Sequence, residues 1–141
     1  MMAPLLAGLL VGAGEPAAVP ESGMCVGLGW LTAQPGEVVE TVDGPDFKVY
    51  YFSVNGDPDH GWGVYWGNFA QVEGNGPTLL KRDGVIVRRA IEDDKFGGYL
   101  AERDGEQNHF FGSVFDGSKK DEAFFDRVDF GAVAQNRCRE S

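Results

Sequence analysis

The sequence predicts an all-β domain, an antiparallel β-sandwich or barrel of about eight strands with one short C-terminal helix. Glycine accounts for 21 of the 141 residues, and six Asx-Gly dipeptides punctuate the chain. Both residues of such a dipeptide tolerate the positive φ that tight hairpin turns require. The segments between them are rich in Val, Tyr, Phe and Trp, which fit a pleated surface. The dipeptides are Asp43-Gly44, Asn55-Gly56, Asn75-Gly76, Asp83-Gly84, Asp104-Gly105 and Asp116-Gly117.

Two hairpins can be drawn in register around these turns. Asp83-Gly84 joins 79–82 to 85–88, and Asp104-Gly105 joins 99–103 to 106–111. In the second hairpin a two-residue loop produces favourable cross-strand neighbours. The expected pairs are Arg103 with Glu106, Tyr99 with Phe110, Leu100 with His109, and Gly98 with Phe111, whose ring would shield the glycine.

Two further segments have the pattern of strands. Residues 47–54 are almost continuously apolar, which predicts a central strand covered on both faces. Residues 62–72 alternate between two faces. One face takes Trp62, Val64 and Trp66, and the other takes Tyr65, Phe69, Gly63 and Gly67. We expect aromatic side chains of adjacent strands to lie over these two glycines.

One helix is predicted late in the chain. Ser118 and Asp121 have the spacing of a capping box, with Asp in place of the preferred Glu. Phe124, Phe125 and Val128 then fall on one side at helical spacing. A short last strand over 128–133 is expected to follow.

The first residues have the pattern of a secretory signal. Residues 3–14 form an apolar run without charge that is too short to span a membrane. Ala13 and Ala18 are both acceptable small residues before a cleavage point. We therefore predict a signal peptide over 1–18, a linker over 19–24 and a single domain over 25–141 that is exported to the periplasm or the medium. Because no Lys or Arg precedes the run, a buried N-terminal strand or helix is the alternative.

The two cysteines fit an exported protein. Cys25 and Cys138 lie near the two ends of the proposed mature chain. In an oxidising compartment we expect them to form a disulfide that ties the first strand to the C-terminal tail. Two free buried thiols in a cytosolic protein are the alternative. No Cys or His spacing typical of a zinc site is present.

The charge narrows the classes of partner. Twelve Lys and Arg stand against 22 Asp and Glu, for a formal net charge of −10. Such a chain is unsuited to the phosphate backbone of nucleic acids and to anionic membrane surfaces. It favours a cationic protein partner through electrostatic steering. No motif in the sequence indicates a cofactor, and we expect no membrane insertion once the signal is removed.

The residues that suggest a ligand- or partner-binding surface are Trp62, Tyr65, Trp66 and His60. Trp and Tyr combine a large apolar area with a polar group, as binding surfaces often require. The alternative is that these aromatic side chains fill the core. Asp57 and Asp59, together with Asn55, copy the first oxygen positions of a calcium loop, but His60 replaces the required glycine. They are weak metal candidates, and a solvated loop is the preferred interpretation.

Three functional hypotheses follow. The first is a small exported binding module, one version of which captures a cationic protein. The second is an extracytoplasmic hydrolase using His60 or His109 with a nearby acid. Ser53 and Ser113 are its candidate nucleophiles, although neither lies in a G-x-S-x-G elbow. The third is a structural protein of the cell envelope with no small-molecule site.

Overall fold

The computed structural model describes residues 15–55, 57–67 and 75–138. In these ranges the chain forms eleven strands, a 3-10 helix and one α-helix. The strands are β1 (Ala17–Ala18), β2 (Met24–Val26), β3 (Gly29–Leu31), β4 (Glu37–Asp43), β5 (Phe47–Val54), β6 (Asp57–Gly67), β7 (Thr78–Arg82), β8 (Val85–Glu92), β9 (Lys95–Arg103), β10 (Glu106–Gly112) and β11 (Val128–Asp129). The 3-10 helix spans Lys119–Arg127, and the α-helix, α1, spans Ala132–Arg137.

The strands form two antiparallel sheets, so the predicted all-β class is confirmed. The large sheet has eight strands in the order β1-β4-β5-β6-β10-β9-β8-β7, and the small sheet has the order β11-β3-β2. Among the described residues β1 and β7 are the edges of the large sheet, which does not close into a barrel. Residues from both sheets share one hydrophobic core, as in a sandwich. Asn108, buried on β10, joins the two sheets by accepting the N–H of Leu28 at 2.7 Å.

Both predicted hairpins are present, and the register is as expected except at Leu79, where a bulge pairs Arg88 with Thr78. At each turn the Asp and the following Gly have positive φ, 53° and 82° at Asp83-Gly84 and 52° and 85° at Asp104-Gly105. The pairs Arg103–Glu106, Leu100–His109 and Tyr99–Phe110 form as predicted. The predicted shielding of Gly98 by Phe111 is not formed. The Phe110 carbonyl and the His109 ring lie next to Gly98, and the Phe111 ring covers Gly63.

The prediction that aromatic side chains lie over Gly63 and Gly67 is confirmed for Gly63, whereas the nearest neighbours of Gly67 are the Cβ and backbone of Phe47 and the Asp46 carbonyl. A Cβ at Gly63 would lie 2.5 Å from the Cζ of Phe111, and one at Gly67 would lie 2.7 Å from the Cβ of Phe47. The predicted covering of β5 on both faces is wrong for its outer face. Tyr51 is 46% exposed there, because no described element packs over it. Phe69 lies outside the described residues.

The C-terminal segment departs from the prediction after its first helix. Ser118 caps the 3-10 helix by accepting the N–H of Lys120 at 3.2 Å. The expected strand over 128–133 is only two residues long, Val128–Asp129. The Asp129 carboxylate accepts the N–H of Gly131 at 2.6 Å, and this turn leads directly into α1.

The chain ends are tied into the sandwich. A disulfide joins Cys25 on β2 to Cys138 at the end of α1, as predicted, with 5.4 Å between the Cα atoms. Of the predicted signal, residues 1–14 lie outside the described residues. Ala17 and Ala18 pair with β4, and Val19 is buried, with its N–H donated to the Glu37 carbonyl at 3.0 Å. None of the helices in the described ranges has the length and apolarity needed to cross a membrane.

Candidate functional site

Strand β6 carries the four predicted binding residues and distributes them over different surroundings. We call the face of the large sheet that packs against the small sheet and the helices the inner face. Trp62 and Trp66 lie on the inner face and Tyr65 on the outer face, as the alternation predicts. Trp62 is only 5% exposed and stacks on Phe52 with 4.1 Å between ring centroids. It therefore belongs to the core, with only an edge near solvent.

A buried ion pair holds the polar edge of Trp62. Glu37 on β4 accepts the indole N–H of Trp62 at 3.2 Å and the Nη1 of Arg127 at 3.1 Å, and the Nη2 of Arg127 also contacts its carboxylate. The guanidinium further donates to the Thr32 carbonyl at 2.7 and 3.1 Å. It lies over the rings of Trp62 and Phe124, 5.6 and 5.7 Å from their centroids. The end of the 3-10 helix is thereby fixed to β4.

Next to this pair is a cavity of about 540 Å³, which we call the His60 cavity. Its apolar walls are Val54, Val114, Phe124 and the edge of Trp62. Its polar rim includes Asp57 and His60, where the Asp57 carboxylate accepts the Nδ1–H of His60 at 2.7 Å.

The geometry gives little support to Asp57 and Asp59 as metal ligands. Within the described residues no three His, Cys, Asp or Glu side chains are grouped as a metal site requires. Asp57 is engaged by His60, and the side chain of Asp59 lies outside the described residues.

At the other end of β6 is a cleft of about 380 Å³, which we call the Trp66 cleft. Trp66 and Phe47 are its aromatic lining residues, Trp66 from the inner face and Phe47, which stacks on Tyr65, from the outer face. Three exposed carboxylates line it, namely Asp43, Asp46 and Glu106. One ammonium accompanies them, because the Nζ of Lys48 lies 3.6 Å from Asp43. The cleft therefore carries a formal charge of −2.

The outer face of the large sheet carries a third, mostly aromatic surface. Tyr65 stacks on Phe47 with centroids 5.7 Å apart, and Tyr51 meets the edge of Phe111 at 6.0 Å. A groove of about 620 Å³ runs past Tyr51 and Phe111. Ser53 and Ser113 line this groove and not the His60 cavity.

His109 is held on the outer face by the backbone. Its Nε2–H donates to the Gly97 carbonyl at 2.6 Å, and its ring centroid lies 5.5 Å from that of Phe111. Burial lowers the pKa of His109, although the Gly97 carbonyl and Glu92 act in the opposite direction. The bond to Gly97 fixes the tautomer of the ring, and no carboxylate is hydrogen-bonded to it in the described part of the chain.

The Glu37–Arg127 pair has no local signature in the sequence. Its partners are 90 residues apart, and each is an ordinary charged residue in its local context. One available signal was that Glu37 begins a strand next to apolar positions, which is unusual for a solvated acid.

Comparisons with known proteins found no family model, no curated protein and no solved structure that matches this chain.

Proposed function

We propose that the protein is an exported binding module that captures a cationic protein by accepting a Lys or Arg side chain in the Trp66 cleft. The observation that carries the proposal is the combination of the Trp66 ring with three carboxylates in one concave site. A cation over an aromatic face is attracted by the ring quadrupole, most strongly for Trp. Carboxylates at the rim supply hydrogen-bond acceptors for an ammonium or a guanidinium group.

The charge of the whole chain supports the same partner. The net charge of −10 attracts cationic proteins over distances up to about a Debye length, roughly 10 Å at 0.1 M salt. Near the cleft, Glu102 and Asp104 of the β9–β10 hairpin add exposed acids to the same end of the sheet. Association is therefore expected to weaken as salt concentration rises.

Export is supported by the Cys25–Cys138 disulfide, and β1 bears on where a signal would be cleaved. The Cys25–Cys138 disulfide is compatible with an oxidising compartment. Strand β1 favours signal cleavage after Ala13, because cleavage after Ala18 would remove the residues that pair with β4. N-terminal sequencing of the exported protein checks this, with Gly14 as the expected first residue.

The binding proposal is tested by calorimetric titration with lysozyme as the basic protein. We expect binding that weakens at least tenfold between low salt and about 0.3 M NaCl. Glu106→Gln should weaken it about three- to tenfold, since a single charged contact contributes on the order of 1 kcal/mol. Glu122→Gln is the matched control, because it removes the same charge from an exposed helix position outside the cleft.

Two results would contradict the proposal. Absence of salt-dependent binding would exclude capture of this basic protein, and with it the version of the hypothesis that rests on charge. Equal losses in Glu106→Gln and Glu122→Gln would show that the charge acts diffusely and that the Trp66 cleft is not the site.

The Asp57–His60 pair favours a second candidate function, hydrolysis. Asp57 orients the imidazole, which leaves Nε2 able to act as a general base toward water. The two serines line a different groove, so the nucleophile would be water. Hydrolysis of p-nitrophenyl acetate is the test. Activity lost in His60→Gln and retained in His109→Gln supports it, and equal rates in both variants contradict it.

A further inference from the structure

We propose that the His60 cavity is a second binding site, separate from the Trp66 cleft, for a small neutral molecule with one apolar ring and one hydroxyl group. His60 and Trp66 are six positions apart on β6, which places them about 20 Å from each other along the strand. The two sites therefore share a strand without sharing a wall.

The size and the walls of the cavity suit a ring. About 540 Å³ lies within the range of roughly 300–1,000 Å³ that is common for small-molecule sites. Phe124 is half-buried and Val114 is exposed, so both offer apolar surface that the core does not use. A flat apolar ring against these side chains would remove that surface from water.

The floor of the cavity favours a neutral ligand. Glu37 and Arg127 neutralise each other, and both oxygens of Glu37 already accept hydrogen bonds from Trp62, Gln34 and Arg127. A carboxylate ligand at the rim would be repelled by Asp57. An ammonium ligand would find only Asp57 as a counter-charge, and that carboxylate already accepts a hydrogen bond from His60.

His60 supplies the group that selects a hydroxyl. In the tautomer whose Nδ1–H is accepted by Asp57, Nε2 carries the lone pair and is the acceptor of the ring. Nε2 makes no hydrogen bond within the described part of the chain. A hydroxyl on a ring held against Phe124 can donate to it from the rim. This contact distinguishes a phenol from a ring of similar size that lacks a donor.

The test is an NMR titration of the ¹⁵N-labelled chain with phenol and with anisole, its methylated counterpart without a donor. We expect phenol to bind with a dissociation constant on the order of 1 mM. It should shift the indole N–H of Trp62 and the ring nitrogens of His60. Phenol should bind about fivefold tighter than anisole, because only phenol can donate to Nε2.

Two variants make the result specific. In His60→Gln the preference for phenol over anisole should fall to less than about twofold, while anisole still binds. In His109→Gln, whose ring lies on the outer face, the fivefold preference should be retained. Three results would overturn the proposal: no binding at millimolar concentrations, equal affinities for phenol and anisole, or shifts centred on Tyr51 and Phe111. Phenol should leave lysozyme binding unchanged, so a failure here is separable from a failure at the Trp66 cleft.

Discussion

Replacing Arg127 with Met tests how strongly the buried ion pair holds the sandwich together. The side chain of Glu37 is 1% exposed and that of Arg127 is 12% exposed. Removing one partner of such a pair typically costs about 3–5 kcal/mol, because the other charge stays buried without compensation. Here Glu37 retains hydrogen bonds from the Trp62 indole and the Gln34 backbone. We therefore expect a loss of about 3 kcal/mol.

The assay is urea unfolding followed by circular dichroism at pH 7. Lys48→Met is the control, because its pair with Asp43 is exposed and should contribute less than about 1 kcal/mol. The double variant Glu37→Met with Arg127→Met should recover part of the loss, since no charge is then left buried. Equal losses of stability in Arg127→Met and Lys48→Met would show that the buried pair contributes no more than an exposed one.

Three further predictions follow from the packing. Reduction of the Cys25–Cys138 disulfide should add the mass of two hydrogens, and Ser at both positions should lower stability by about 4–5 kcal/mol by the loop-entropy model; an unchanged mass contradicts this. Gly98→Ala should lower the melting temperature more than Gly105→Ala. Both glycines have positive φ, but only Gly98 faces the Phe110 carbonyl. Equal decreases in melting temperature would contradict a role for this contact. Burial raises the pKa of Tyr50 to about 12, so its contribution is complete below pH 10 and is lost as pH rises toward 12. Between pH 9 and 12 the free energy of unfolding should fall by about 2–3 kcal/mol more in the wild type than in Tyr50→Phe, and parallel curves contradict this.

The hairpins could be predicted because their determinants are local. Asp104-Gly105 specifies a turn in which both residues have positive φ, and the turn alone fixes the pairing of Arg103 with Glu106. The two faces of β6 could be predicted for the same reason, since alternation follows from strand geometry. Alternation does not determine which face of a strand meets the core, because that depends on how the two sheets pack. The burial of Trp62 therefore follows only from the fold.

The candidate sites depend on contacts that are distant in sequence. Glu37 and Arg127 meet across 90 residues, and the wall that Phe124 gives the His60 cavity exists only after the 3-10 helix packs on the sheet. The last predicted strand, 128–133, ends after two residues for a local reason that its apolar pattern does not indicate. The carboxylate of Asp129 captures the N–H of Gly131 and turns the chain.

The central claim, that the Trp66 cleft accepts a cationic side chain, is tested most directly by locating the contact. The ¹⁵N-labelled chain is titrated with a short peptide containing one Lys, and with the same peptide containing norleucine in its place. We predict that the Lys peptide shifts the indole N–H of Trp66 and the backbone amides of Gly67 and Glu106, and that the norleucine peptide does not. Equal shifts with both peptides, or shifts confined to the outer face around Tyr51, would contradict the claim.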